Sequence, residues 1–116
     1  MSRHDDLIRL KHMLDHAREA SALVADKSRT DLDTDRVLEL ALVRLLEIIG
    51  EAANRVSTEI KTNYPQIPWF QIISLRNRLI HGYDAVDLDI LWEILIKDLP
   101  PLVVELEQIL MGKQPA

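Results

Sequence analysis

Reactive side chains are concentrated in one short segment of the chain, residues 76–83. Its eight positions hold two arginines, an amide, a histidine and a tyrosine, which are Arg76, Asn77, Arg78, His81 and Tyr83. An imidazole can move the proton of an attacking or leaving oxygen, and a guanidinium can stabilise the extra negative charge of a phosphorane-like transition state. A histidine beside an arginine, with no metal ligands nearby, therefore suits RNA cleavage by the substrate's own 2′-hydroxyl.

These residues fall in a predicted helix over residues 69–81. At about 100° per residue, Asn77 and His81 lie one turn apart on one face, while Arg76 reaches His81 only through its long side chain. Gly82 follows as a left-handed cap. A structural interpretation of the segment is also open: Arg76 or Arg78 pairs with a surface carboxylate, His81 ends the helix, and Tyr83 fills the loop.

The rest of the chain predicts an all-α protein. It has 116 residues, three glycines and no proline before Pro65, and apolar residues recur at helical spacing without any strand-like alternation. We expect a single domain over residues 1–116, an up-down bundle of four to five helices. The predicted helices cover residues 5–26, 33–60 (capped by Asp33 or Thr34), 69–81, 88–99 (capped by Asp87) and 102–111, with a break or kink at Pro100 and Pro101.

The second predicted helix is apolar on two sides. One line contains Val37, Ala41, Leu45 and Ile48, and the other contains Leu38, Leu42, Leu46 and Ile49. Such a helix is either the centre of a bundle or part of an oligomer interface, and the residues favour neither. If the second line is exposed, the chain should form a homodimer or a higher even oligomer.

Composition excludes several functional classes. The chain has no cysteine, which excludes disulfides and thiolate chemistry, and its net charge of -5 disfavours general polyanion binding. No apolar run is long enough for a membrane span, so we expect a cytoplasmic protein without a membrane partner. A glycine-rich phosphate loop is absent, and we expect no cofactor.

Other candidate residues favour structural roles. His12 and His16 have a chelating spacing, but no accompanying ligand pattern indicates a metal site. Glu47 and Glu51 are one turn apart and resemble a charged helix face, with Glu51 kept as a weak supporting candidate. Three aromatic residues could stack on bases but are expected in the core: Trp69, Phe70 and Trp92.

The reactive segment resembles the Arg-x4-His-x-Tyr motif of the HEPN superfamily, specifically the HepT-like toxins of toxin-antitoxin pairs. The resemblance extends to residues 46–53 in the second helix and to residues 92–100 after the loop, so it covers nearly the whole chain. It implies a type VII-like toxin: a metal-independent endoribonuclease that dimerises so that two motifs face one cleft. Its inhibitor would be an antitoxin with a nucleotidyltransferase fold.

Carried over by position, the resemblance implies that Arg76 and His81 are the catalytic pair, acting on an RNA substrate. Asn77 and Arg78 would be supporting residues, and Tyr83 would be the residue that the antitoxin AMPylates. Some relatives instead serve as substrate-binding or accessory subunits of a nucleotidyltransferase. Two alternatives therefore stay open, a non-catalytic subunit of that kind and a structural dimerisation module.

Overall fold

The computed structural model describes residues 3–82 and 85–112. These residues are mostly helical, so the predicted all-α fold is confirmed. In chain order the helices are α1 (Arg3–Val24), α2 (Asp31–Thr34), α3 (Arg36–Arg55), α4 (Thr58–Asn63), α5 (Trp69–Ile73), α6 (Leu75–Leu79), α7 (Leu88–Glu93) and α8 (Leu99–Leu110). Between α6 and α7, the two-residue strands β1 (Ile80–His81) and β2 (Ala85–Val86) pair antiparallel. A π-helical turn, Ile94–Asp98, joins α7 to α8.

The apolar core is one cluster of buried side chains, drawn mainly from α1, α3 and α8. Helix α1 packs along α3 on one side and α8 on the other. In the described ranges, no helix combines the length and apolar character needed to cross a bilayer.

Helix α3 packs against α1, α2, α5 and α6. The line of Leu38, Leu42, Leu46 and Ile49 is buried within the chain, each residue being at most 7% exposed. Its burial within the chain removes the sequence argument for a dimer. The other line is only partly covered, since Leu45 is buried, Ala41 and Ile48 are half-buried and Val37 is exposed.

The start of α3 differs from the prediction by one or two residues. Asp35 is the capping residue, and its Oδ1 accepts a hydrogen bond from the Leu38 amide at 3.0 Å. The predicted caps Asp33 and Thr34 belong instead to the one-turn helix α2. A run of similar capping residues explains the ambiguity, because each can accept from a free backbone amide.

The residue Arg29 links α2 to the helix that follows the strand pair. Its guanidinium donates to Asp89 at 2.8 Å and to Asp33 at 3.0 Å. The hydrogen bond to Asp89, followed by that to Asp33, raises the pKa of Arg29 above its ordinary value. This contact ties the first turn of α7 to the loop before α3.

The predicted helix over 33–60 ends early, at Arg55. Val56 takes an extended conformation, and Ser57 begins α4 by accepting from the Ile60 amide. The cause lies in α1, where the buried carboxylate of Asp6 accepts from the Ser57 amide at 2.9 Å and from its hydroxyl at 2.7 Å. A buried carboxylate needs such donors, and Ser57 can supply both only outside the helical ladder.

The predicted helix over 69–81 is interrupted at Ser74, between α5 and α6. The Ser74 amide still donates to the Phe70 carbonyl at 3.0 Å, and its carbonyl accepts from the Arg78 amide at 3.2 Å. Both bonds span four residues, so the helical path is largely kept across the interruption.

This helical segment ends at Leu79, and His81 is not helical. Ile80 is extended and pairs with Val86, while Gly82 has a φ of +75°. The expected left-handed glycine is present, but it turns the chain between two strands and does not cap a helix. β-Branched Ile80 favours the extended conformation.

The two prolines begin α8 without breaking it. In the preceding π-helical turn, the Leu99 amide donates to the carbonyl of Ile94, five residues earlier. Pro100 and Pro101 have no N–H, and their rings crowd the carbonyls one turn before them. The wide π-helical turn accommodates the two rings. Instead of the predicted break at the prolines, the chain therefore has a π-helical turn just before α8.

Candidate active site

The sequence-predicted site residues lie on α6 and β1. Arg76, Asn77 and Arg78 belong to the five-residue helix α6, and His81 is the second residue of β1. Because α6 ends at Leu79, the expected one-turn relation between Asn77 and His81 is wrong. Tyr83 lies outside the described residues.

The junction of α5 and α6 is held against α3 at a glycine. A Cβ atom on Gly50 would lie 3.0 Å from the carbonyl oxygen of Ile72 and 3.6 Å from that of Ile73. Because those atoms belong to the backbone, a side chain on residue 50 would push the two segments apart. Gly50 thus sets how closely the segment that carries Arg76 approaches α3.

Arg76 pairs with a carboxylate of helix α3. Its Nε donates to Oε2 of Glu47 at 3.2 Å, and the Arg76 side chain remains 60% exposed while that of Glu47 is 24% exposed. Glu47 lies three residues before Gly50, so the close approach and the ion pair are neighbouring contacts. A guanidinium has further N–H donors in a planar fork, which suit a phosphate.

His81 lies beside the residue that caps α7. Its Nε2 is 3.8 Å from Oδ2 of Asp87, too far for a direct hydrogen bond but close enough for attraction to a protonated ring. The other oxygen of Asp87 accepts from the Ile90 amide at 3.0 Å, which confirms the predicted cap. The backbone amide of Asp87 donates to the Leu79 carbonyl at 2.8 Å. Asp87 is therefore fixed by two hydrogen bonds, and the His81 side chain is 64% exposed.

Arg78 lies in a different region from Arg76. Its guanidinium is 3.3 Å from Oδ2 of Asp98 in the π-helical turn. Both residues line a cavity of about 530 Å³ between α5, α6 and the start of α8, which Lys97 and Leu102 also line. Arg76 is not among its lining residues, so the two arginines serve separate surfaces.

Other candidates are only partly as expected. Glu51, kept as the supporting acid, is 3.7 Å from Arg44, whereas Glu47 contacts the motif arginine. His16 interacts through Nδ1 with the His12 carbonyl at 2.7 Å, as an ordinary helical contact. The exposed side chain of Phe70 differs from the expected core placement.

Sequence reasoning missed Glu47 as the partner of Arg76 and Gly50 as the point of close approach. The glycine indicates that another segment can come close to this helix, but the sequence does not distinguish Glu47 from Glu51 as the acid that this segment meets. The prediction lacked the placement of the motif helix, which depends on distant contacts.

Comparison with known proteins agrees with the motif. The family described as Ribonuclease HepT-like matches residues 13–109. A protein of Methanocaldococcus jannaschii named "Putative RNase" is 32% identical over 107 residues, which cover 92% of this chain and 98% of that protein.

Two further relatives match a similar fraction of this chain. A "Putative RNase" of Caldanaerobacter subterraneus subsp. tengcongensis is 37% identical over 105 residues, 90% of this chain and 94% of the relative. The "Probable ribonuclease HepT" of Thermococcus cleftensis is 34% identical over 103 residues, 85% of this chain and 94% of the relative. No solved structure gives a significant match.

Proposed function

The chain belongs to the family of HepT-like ribonucleases, and from this premise we propose that it is a metal-independent endoribonuclease and a toxin. The observation that carries the proposal is the pair of exposed motif side chains, Arg76 and His81, each beside a carboxylate fixed by a neighbouring helix. Exposed side chains held in this way are accessible to an RNA substrate.

The proposed reaction uses the 2′-hydroxyl of the RNA itself. His81 takes the proton of that hydroxyl as the 2′-oxygen attacks the adjacent phosphorus, and the imidazolium formed in this way gives its proton to the departing 5′-oxygen. The bond from phosphorus to the 5′-oxygen breaks, leaving a 2′,3′-cyclic phosphate and a 5′-hydroxyl. Arg76 stabilises the negative charge of the transition state through its planar fork of donors.

The two carboxylates are proposed as positioning residues. Glu47 holds the Nε edge of Arg76, so the remaining donors of the guanidinium can meet a phosphate. Asp87 lies 3.8 Å from the His81 ring and is proposed to hold it in position. Asn77 is exposed on α6 and is proposed to orient the phosphate. Arg78 pairs with Asp98 on another surface, so it supports the site only from a distance.

A homodimer or higher even oligomer stays part of the proposal, but through a different surface from the one first expected. Val37 and Leu40 on α3 are 77% and 52% exposed, and they lie on the same helix as Glu47. Burial of exposed apolar side chains favours association. Light scattering at micromolar concentration tests this: a dimer mass that Val37→Ser lowers supports the surface, and a monomer of the wild type contradicts the dimer.

The proposed partner is an antitoxin with a nucleotidyltransferase fold that AMPylates Tyr83. An adenylyl group there would add bulk and a phosphodiester charge two residues from His81, where it would compete with an RNA phosphate. Intact-mass measurement after co-expression tests this step. An adenylyl increment lost in Tyr83→Phe supports it, and a silenced but unmodified toxin means neutralisation by binding.

Expression in cells tests the activity itself. Wild type should arrest growth and degrade RNA, whereas His81→Ala should do neither. Equal degradation of RNA by wild type and by His81→Ala would mean that residues other than His81 carry the activity. Intact RNA with wild type, together with stable binding to a nucleotidyltransferase, would identify the chain as an accessory subunit.

A further inference from the structure

Phe70 is an exposed aromatic side chain on the helical segment that carries the catalytic motif. Its side chain is 78% exposed, whereas Trp69 is 9% exposed and Tyr64 and Trp92 are partly buried. Among the phenylalanine, tyrosine and tryptophan residues that the structure describes, Phe70 is the one left open to solvent.

The local structure fixes this exposure. Trp69 is anchored by a hydrogen bond from its indole nitrogen to the Tyr64 carbonyl at 3.0 Å, and Ile72 packs in the core. With these positions of α5 directed inward, the helical period directs Phe70 outward. Its exposure is therefore a consequence of the fold, and substituting it should leave the core unchanged.

Phe70 lies on the same stripe as a motif residue. The backbone hydrogen bonds across Ser74 keep the helical path, so Phe70 and Asn77 differ by only about 20° in direction. Arg76, which pairs with Glu47, is roughly 9 Å further along the axis and about 120° around it from Phe70. A nucleotide next to the scissile phosphate can span such a distance.

The charge of the chain makes a stacking contact useful. With a net charge of -5, the protein gains little affinity from general phosphate contacts, which usually dominate binding to nucleic acid. Stacking of a base on an aromatic ring supplies affinity that does not depend on phosphate charge.

The surroundings of Phe70 favour a base over a protein partner. The exposed residues beside it are mainly polar, with Gln71 next to it in sequence and Asn77 on its stripe, while its apolar neighbours are Pro68 and the half-buried Ile73. Protein interfaces surround an aromatic anchor with further apolar side chains. A single ring among polar groups is the arrangement of a stacking platform.

We propose that Phe70 stacks on an unpaired base of the substrate next to the cleaved phosphate, which makes single-stranded RNA the substrate class. This inference rests on the proposed ribonuclease function. Phe70 would be a binding residue outside the catalytic pair, and it would fix which phosphate reaches Arg76.

Binding to a short single-stranded RNA tests the proposal in the His81→Ala protein, where cleavage does not interfere. Phe70→Ala should weaken binding about 5- to 150-fold, the range of one aromatic–base stack, and Phe70→Tyr should restore it. Met111→Ala is the matched control, since Met111 is 72% exposed beyond the end of α8 and should have no effect. Thermal unfolding should be the same for all variants.

The same RNA with one abasic residue at successive positions identifies the stack. At one of these positions, the abasic residue should weaken RNA binding by the protein that has Phe70 but should not change RNA binding by the Phe70→Ala protein. The reason is that the missing base and the missing ring remove the same contact. Equal RNA affinity with and without Phe70 overturns the proposal. A changed oligomer mass in Phe70→Ala with unchanged RNA affinity also overturns it, because it assigns the ring to a protein contact.

The binding experiment separates this inference from the proposed function. If wild type binds RNA through Phe70 but never cleaves it, the ribonuclease proposal fails and the stacking proposal stands. If the Phe70→Ala protein cleaves RNA as efficiently as wild type, the stacking proposal fails and the ribonuclease proposal stands.

Discussion

Arg76 and Arg78 are two residues apart on one short helix, yet they belong to two different regions of the molecule. Arg76 pairs with Glu47 of helix α3. Arg78 pairs with Asp98 of the π-helical turn and lines a cavity. Both arginines have a surface carboxylate as partner, so ion pairing by itself does not distinguish a catalytic from a structural arginine. The distinction lies in what surrounds each pair.

The largest expected effect separates these two regions directly. Arg76→Ala should lower kcat/KM for RNA cleavage by about 100- to 1,000-fold, because it removes a donor to the transition state. Arg78→Ala removes an exposed pair and should change kcat/KM by less than about fivefold. The two variants should have nearly the same unfolding temperature. A comparable loss in both would mean that α6 acts as one charged surface.

The next effect concerns how α5 and α6 approach α3. Gly50→Ala places a methyl group against the Ile72 carbonyl and should cost about 1–3 kcal/mol of stability, with a clear loss of activity. Gly112→Ala is the matched control, because its φ of +78° also disfavours a side chain while no atom of the described residues lies within 4 Å of its Cβ. It should lower stability by roughly 1–2 kcal/mol with activity unchanged. Denaturant unfolding and cleavage rates on the same samples check both.

A smaller effect is expected at the residue beside His81. Asp87→Asn keeps a good capping side chain for α7 but removes its charge, so it should lower kcat/KM roughly two- to fivefold with little loss of stability. Asp35→Asn makes the same change at the cap of α3 and should leave cleavage unchanged. Unchanged cleavage in Asp87→Asn would remove Asp87 from the site.

The smallest effect is expected at Glu47. Glu47→Gln keeps an oxygen that can accept from Nε of Arg76 and should lower kcat/KM by about twofold or less. The matched control is Glu51→Gln, one turn away and paired with Arg44. An increase in rate in Glu47→Gln would show that the carboxylate competes with the substrate phosphate for Arg76.

The sequence predicted the long helices well because their signal is local. The helical period of α3 is visible over two or three turns, and Asp87 could be identified as a cap from its position before an apolar run. The interruptions were not predictable in the same way. The end of α3 depends on Asp6, which is distant in sequence from Ser57.

The candidate site was predicted in its residue types and not in its geometry. Arg76 and His81 stand out by chemistry, but their placement depends on the end of α6 at Leu79 and on the pairing of Ile80 with Val86. Such a two-residue strand pair has no periodicity to read. Glu47 was not distinguished from Glu51 because both have the same helical surroundings until α6 is placed.

The most direct test of the central claim is cleavage of single-stranded RNA by the purified protein in excess EDTA, with His81→Ala beside it. We expect wild type to cleave without added metal and to leave a 2′,3′-cyclic phosphate, and His81→Ala to be at least about 100-fold slower with an unchanged fold. Equal rates for the two proteins, or cleavage that requires added magnesium or manganese, would contradict the account.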